Sequence, residues 1–321
     1  MRNCILCFLS LISAVLFNAC GGGSSGEDDR GILTVTVNST AVHTGTTTEQ
    51  NPSLYVYLPP SYETNPEKRY PVIYFLHGFG DPANEINQWK TDLDSFFIAD
   101  PDHEMIIVSV SGLNSLGGSF YVDSPVCGAW ETYATSEVVY LIDSTFRTIA
   151  EKGSRGIFGF SMGGFGAINI ALKHPDIYSG IYAFAPGLFD ENGLRNAFAT
   201  WASMPEVKQA YGAAFAGGSI PGFTGTESDN RIVTEWENGY GNASGKISAY
   251  LALSQKLSAI RIDYGTSDEF TWIPQGCRYF ISRLSDNGIS AESVEMDSRH
   301  IFGVSKVVSY TLPFFRNILT F

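Results

Sequence analysis

The chain has 321 residues, 44% of them hydrophobic and 17% charged, with 33 Gly and 14 Pro. That balance supplies a large core and excludes collagen-like and intrinsically disordered classes, and the length suits either two domains or one α/β domain. A formal net charge of -13 repels a polyanion over most of the surface, which excludes nucleic acid as a partner.

At the start of the chain, Arg2 precedes an apolar stretch from Ile5 to Phe17. It is shorter than the roughly 20 residues that span a bilayer and ends in "NAC", so it reads as an export signal. "LFNAC" followed by "GGGSSGEDD" resembles the processing site of a bacterial lipoprotein, with Phe17 and Asn18 standing where Leu and a small residue are usual. Residues 1–19 are therefore expected to be a signal peptide, Cys20 the lipidated new N-terminus, and residues 20–30 a flexible tether. The expected location is the bacterial cell envelope, held to the membrane through that lipid, with plain secretion as the alternative. Cys4 and Cys7 fall in the signal, which leaves Cys127 and Cys277. A disulfide between them and a pair of buried thiols both remain open.

Beyond the tether, "GILTVTVN", "SLYVYLPP" and "YPVIYFLHG" read as strands closed by Pro and Gly. A helix over Asn84 to Ile98 leads to the apolar run "MIIVSV". Apolar residues at helical spacing then follow Thr135 or Ser136 as cap. Next come the strand "RGIFGF", a helix from Met162 to Lys173 stopped by "HP", and the strand "YSGIYAFAP". The alternation lapses over residues 187–258 and resumes at "AIRIDYG", followed by a helix from about Ile273 to Asn287, the strand "SAESVEM" and a closing helix to Ile318. Strand and helix in alternation imply an α/β fold: a mostly parallel central sheet flanked by helices. Residues 31–321 are read as one domain, with 187–258 a helical and loop insertion over the carboxyl edge of the sheet.

The stretch "GFSMGG" carries the chemistry. A nucleophile exposed at a strand end requires a turn too tight for side chains on its flanks, and Gly159 and Gly163 stand two residues either side of Ser161. The strand before and the helix after supply the context that a lone Gly-x-Ser-x-Gly lacks. Met162, the next residue, offers its backbone N–H to a developing oxyanion. A serine hydroxyl needs a base, and near neutral pH that base is histidine. Of His43, His77, His103, His174 and His300, only His300 follows the last strand, where the order Ser, acid, His requires it. The acid is expected after "IRIDYG", at Asp268, with Glu269 and Asp263 as rivals. "HGFG" after the third strand puts small residues where backbone must approach substrate, and His77 within it reads as a structural loop residue.

The motifs "LYVYLPPSY", "YPVIYFLHGFG", "SFYVDSP", "WETYATSEVVYLID", "GFSMGGFGAINIALKHPDIY" and "YGTSDEF" resemble the Putative esterase family of α/β-hydrolases, from about Leu33 to Phe315. That group includes feruloyl and acetylxylan esterases, S-formylglutathione hydrolases, enterochelin esterases and secreted mycolyltransferases. The resemblance implies the α/β-hydrolase fold, and the N–H of Phe79 as the second oxyanion donor beside Met162. One departure stands out: the family often has Gly before the histidine and Trp two residues after, whereas this chain has "SRHIF", with Phe302 as the available aromatic.

The expected function is a serine carboxylic ester hydrolase acting through an acyl-enzyme on short-chain or carbohydrate-linked acetyl or feruloyl esters, with no metal or organic cofactor. Tyr121 of "SFY", Trp130 of "WET" and Trp272 are the candidate substrate-binding residues. One alternative is acyl transfer to a sugar or lipid alcohol with the same triad. Another is a non-catalytic lipoprotein that grips glycan through Trp130, Trp201, Trp236 and Trp272, although such residues are more often core or lid packing. The expected partners are a small-molecule or carbohydrate-linked ester and, through the anchor, a membrane.

Overall fold

The computed structural model describes residues 31–47, 50–200, 205–217 and 226–321. The expected signal peptide, Cys20, the tether, Trp201 and most of the Gly, Ser and Thr-rich middle of the insertion lie outside the described residues.

Eight strands form the central sheet: β1 (Leu33–Thr36), β2 (Ser53–Tyr57), β3 (Val72–Leu76), β4 (Ile106–Val110), β5 (Arg155–Phe160), β6 (Gly180–Phe184), β7 (Ala259–Gly265) and β8 (Glu295–Met296). Their order across the sheet is β1-β2-β4-β3-β5-β6-β7-β8. β2 runs antiparallel to both β1 and β4, and every other pairing is parallel. The α/β reading of the sequence is the observed architecture. All five residues of β3, β4 and β6 are buried, as strands covered by helices on both faces must be, and their sequences are accordingly continuous apolar runs. β1 at the edge alternates instead. Leu76 pairs with both Val110 and Gly159, and Phe160 with Phe184, so the carboxyl ends of four strands share one edge.

Two helices differ from their sequence reading. The stretch expected as one helix from Asn84 is a 3-10 turn over Ala83–Trp89 followed by α1 (Lys90–Ala99). Its buried residues, Ala83, Ile86 and Trp89, recur every third position, which aligns them on one face at 3.0 residues per turn but not at 3.6. The helix expected to be capped at Thr135 or Ser136 begins earlier, at Trp130, passes through a π stretch over Tyr133–Glu137, and continues as α2 (Val138–Thr145). Asp123 from outside the helix satisfies its first turn, accepting from the N–H of Thr132 at 2.9 Å and from its hydroxyl at 2.7 Å. Thr135 lies inside, its hydroxyl donating back to the Glu131 carbonyl.

α3 (Met162–Lys173) is buried along nearly its whole length and ends where His174, preceding Pro175, leaves the helical region at φ -121°. The insertion holds α4 (Gly193–Thr200), α5 (Pro205–Phe215), α6 (Thr226–Asn238) and α7 (Ala243–Ala252). Trp236 at its centre packs against Phe165, Tyr211 and Phe215. α8 (Trp272–Asp286) and α9 (Leu312–Ile318) complete the layers. Cys127 and Cys277 are both buried and unbridged. Among the described residues no helix is long and apolar enough to cross a membrane.

Glu137, in the π stretch, ties the segment 39–41, beyond β1, to this scaffold. Its carboxylate accepts from the N–H groups of Thr40 and Ala41, both at 3.0 Å, and from the hydroxyls of Ser39 and Thr40. Burial raises its pKa, but these bonds outweigh burial and hold it below the usual carboxylate value. Because the folded pKa is depressed, this contribution to stability is present above the unfolded carboxylate pKa and is lost as pH falls through the folded one. Glu137→Ala should lower unfolding free energy by about 1–3 kcal/mol in urea titrations at neutral pH, with a smaller difference from wild type in acid.

Candidate active site

The turn after β5 is built by contact between backbones. A Cβ on Gly163 would lie 1.9 Å from the Leu76 carbonyl oxygen, and one on Gly159 would lie 2.2 Å from that of Gly163. Only glycine allows β3, β5 and the first turn of α3 to meet this closely. Between them Ser161 sits at φ 54°, ψ -115°, a region that costs a non-glycine residue on the order of 1–3 kcal/mol. Hydrogen bonds hold it there: its N–H donates to Phe184 O at 3.1 Å, and its carbonyl accepts from Phe165 at 3.0 Å and Gly187 at 2.9 Å.

His300, beyond β8, brings its Nε2 to 3.0 Å from Ser161 Oγ and its Nδ1 to 2.7 Å from Asp268 Oδ2. The Asp268 side chain is fully buried, and its other oxygen accepts from the Phe270 N–H at 2.8 Å. The rivals are otherwise engaged. Glu269 is exposed and accepts from the backbone N–H of His300 at 2.9 Å and from Arg299, so it holds the loop and not the imidazole. Asp263 is buried among Tyr182, Arg261 and the Val294 N–H. The aromatic after the histidine acts at one remove: Phe302 stacks on Phe160 at 5.4 Å, and Phe160 lies against His300 at 4.6 Å.

The remaining histidines have structural surroundings. His77 Nδ1 meets its neighbour's carbonyl, Gly78 O, at 2.8 Å, its Nε2 accepts from the Gly112 N–H at 2.9 Å, and burial lowers its pKa to about 4. It is a neutral brace, as the sequence suggested. His103 pairs with Asp100 and His174 with Glu131, and His43 lies in the turn Val42–Thr44.

Phe79 and Met162 both line the cleft in front of Ser161. Neither of their N–H groups donates to an acceptor among the described residues, whereas the neighbouring Gly80 and Asp81 N–H groups do.

Two of the three candidate substrate-binding residues are corrected. Tyr121 is fully buried, its hydroxyl donating to Val110 O and accepting from the His77 N–H, both at 3.0 Å. It props the "HGFG" loop from behind. Trp130 is also buried, with its indole N–H on Cys127 O at 2.7 Å and its ring against Tyr133. Trp236 belongs to the insertion core, so among the described tryptophans Trp130 and Trp236 are packed inside and do not form an exposed platform, while Trp201 lies outside the described residues. Trp272 does line the cleft, stacked on Phe189.

That cleft, of about 470 Å³, has walls the sequence did not identify: Phe120, Phe160, Phe270 and Ile273, with Val207 and Tyr211 reaching in from α5. Asp81 and Glu206 bring carboxylates to its rim. Nothing in the local pattern marks these residues, because tertiary packing alone assembles them. Among the described residues no group of three or more His, Cys, Asp or Glu is arranged to hold a metal ion.

Residues 45–272 match the model of the family described as Putative esterase. An esterase of Mycobacterium tuberculosis is 30% identical over 263 residues, covering 78% of this chain and 53% of that protein. The S-formylglutathione hydrolase of Bos taurus is 32% identical over 152 residues, covering 41% of this chain and 50% of that protein. The chain thus spans about half the length of the curated relatives it matches. Among solved structures, a ferulic acid esterase superposes with a TM-score of 0.64 at 22% identity, covering 90% of this chain and 98% of the other, a likeness of fold. With a family match across the elbow and most of the sheet, the chain belongs to the Putative esterase family, built on the α/β-hydrolase fold.

Proposed function

We propose that the chain is a serine carboxylic ester hydrolase in which Ser161 is the nucleophile, His300 the general base and acid, and Asp268 the orienting carboxylate. The N–H groups of Phe79 and Met162 form the oxyanion hole. The observation that carries this reading is His300, one imidazole within hydrogen-bond reach of both a strained serine and a buried carboxylate.

With Nδ1–H donated to Asp268, Nε2 is left as the acceptor facing Ser161 Oγ. As Oγ attacks the ester carbonyl carbon, its proton passes to Nε2 and the C=O electron pair moves onto oxygen, where the two N–H groups receive it. Collapse of the tetrahedral adduct expels the alcohol, which takes the proton back from Nε2 and leaves the acyl group on Ser161. Water then repeats the sequence and releases the acid.

The cleft supports a substrate class. Its acidic side chains are those of Asp81 and Glu206, and no lysine or arginine lines it among the described residues. Burial raises the Asp81 pKa, against the opposing pull of His300 and a backbone hydrogen bond at Gly78. Carboxyl groups accept or share hydrogen bonds with hydroxyls and repel anions, so a neutral, hydroxyl-rich alcohol suits this rim and an anionic glutathione thioester does not. The ring walls suit a short or aryl acyl group. Acetyl or feruloyl esters of carbohydrate meet both requirements. The N-terminal segment supports export and anchoring through lipid on Cys20.

Ser161→Ala should cut p-nitrophenyl acetate turnover by a factor on the order of 10⁴ with an unchanged melting temperature, and a fluorophosphonate should label wild type at Ser161 alone. A labelled and active alanine variant would place the nucleophile elsewhere. Asp268→Asn should lower kcat by about 10³ to 10⁴, whereas Glu269→Gln, which loses only a loop contact, should stay within roughly tenfold. Product analysis with an added sugar or lipid alcohol should show released acid; an ester of the added alcohol would identify acyl transfer. Cys20→Ser should move the protein from the membrane fraction to the soluble one at constant specific activity, and a wild-type protein already soluble and processed away from Cys20 would overturn the anchor.

A further inference from the structure

A second cleft, of about 540 Å³, lies between the carboxyl-terminal half of α3 and the helix α7, and shares no lining residue with the cleft at Ser161. Its volume falls in the range of roughly 300–1,000 Å³ usual for small-molecule sites. Lys246 and Ala249 of α7, at i and i+3, and Leu253, which caps the helix, form one wall. Asn169 and Leu172 of α3 stand opposite.

Two polar groups lining this cleft are unmet. Lys246 is half-buried, with its ammonium over the rings of Phe165 at 5.3 Å and Phe280 at 5.8 Å; its backbone N–H donates to Asn242 O at 3.0 Å, but the ammonium makes no hydrogen bond or ion pair among the described residues. Its neighbour Lys173 differs: that ammonium is already held by Glu131 at 2.6 Å and lies over Tyr240. Two ring faces compensate only part of what an ammonium loses on leaving water. Burial accordingly draws the Lys246 pKa down to about 7, with Lys173 pushing the same way and Glu131 opposing. The second group is Asn169, almost wholly buried. Its Nδ2 donates to Phe165 O at 2.8 Å, but its Oδ1 has no donor. Most buried side-chain polar atoms are satisfied, so an unpartnered cation and an unpartnered acceptor in one cleft mark a place for a ligand that brings the complements of both.

We infer that this cleft binds a small amphipathic hydroxy acid, with its carboxylate on Lys246, its hydroxyl on Asn169 and its carbon chain between Leu172 and the Ala249–Leu253 face. From Lys246 to Ala252, the last residue of α7, the helix rises roughly 9 Å, the reach of a chain of about seven carbons. The inference does not depend on the proposed ester hydrolysis, because the cleft contains none of the residues assigned to it.

The test is calorimetric titration of the full chain with 3-hydroxyoctanoate, and with octane-1,3-diol as its neutral counterpart. Wild type should bind the acid saturably with a Kd below about 1 mM. Lys246→Met, which keeps the stem and removes the charge, should weaken the acid by about tenfold or more and leave the diol unchanged. Ala249→Trp, which fills the cleft and keeps Lys246, should abolish binding of both. p-Nitrophenyl acetate turnover should stay within about twofold in both variants, which also reports that they fold. No saturable binding to wild type up to about 10 mM, or an unchanged acid affinity in Lys246→Met, would overturn the inference, the latter by placing the acid in the cleft at Ser161 or elsewhere.

Discussion

The structure depends on one contact between backbones, the approach of the first turn of α3 to the ends of β3 and β5. At Gly163 and Gly159 the space for a methyl group is already taken by main-chain carbonyls. That proximity bends the chain sharply enough to hold Ser161 at positive φ with its hydroxyl outward. It also places the N–H of Met162, the first residue of the helix, beside the hydroxyl, where the helix dipole adds to its pull on negative charge. A wider turn would relieve the strain and separate the Met162 N–H from the Ser161 hydroxyl. The strained geometry of Ser161 and the placing of that N–H therefore have one cause.

The partners of Ser161 arrive by a second close approach. A Cβ on Gly265, at the end of β7, would lie 2.2 Å from Ser298 O, and Thr266 and Ser267 donate to Met296 O and Ser298 O at 2.8 and 3.1 Å. The loops after β7 and β8 are thereby joined, one carrying Asp268 and the other His300. Glu269 closes the arrangement from outside by accepting the His300 N–H. The imidazole is positioned by backbone and by the rings of Phe160 and Phe270, at 4.6 and 4.9 Å. In "SRHIF" an aromatic clamp holds the imidazole: Phe302 supports Phe160, which supports the ring.

How much of this was legible in the sequence follows from which residues need only local context. Ser161 is legible as a candidate because strand, glycines and helix are contiguous. Asp268 and His300 are legible as its candidate partners because each follows a strand whose place in the order is fixed by topology, and the structure brings all three within hydrogen-bond reach. Tyr121 and Trp130 were misread because aromatic residues near a motif look the same whether they face a ligand or brace a loop, and only the packed sheet reveals their burial. The helix start at Trp130 was missed because its satisfying carboxylate, Asp123, comes from outside the helix. The cleft walls were invisible for the same reason, since Val207 and Tyr211 are brought to Ser161 by the packing of the insertion.

That packing bears on how substrate preference and stability are linked. Tyr211 lines the cleft at Ser161 and also stands 5.7 Å from Trp236 and 5.3 Å from Phe215. Those two rings contact Phe165, one turn along α3 from the nucleophile. The insertion is therefore joined to the nucleophile's helix by a continuous aromatic cluster, in which interior packing transmits a change of volume to neighbours. A substitution at Tyr211 that reshapes the cleft also disturbs the packing beneath Ser161. Val207, on the same helix, also lines the cleft but is partly exposed at the edge of the core. A change to the cleft wall is thus physically less costly at Val207, while Tyr211 is held by the same core that holds the turn at Ser161.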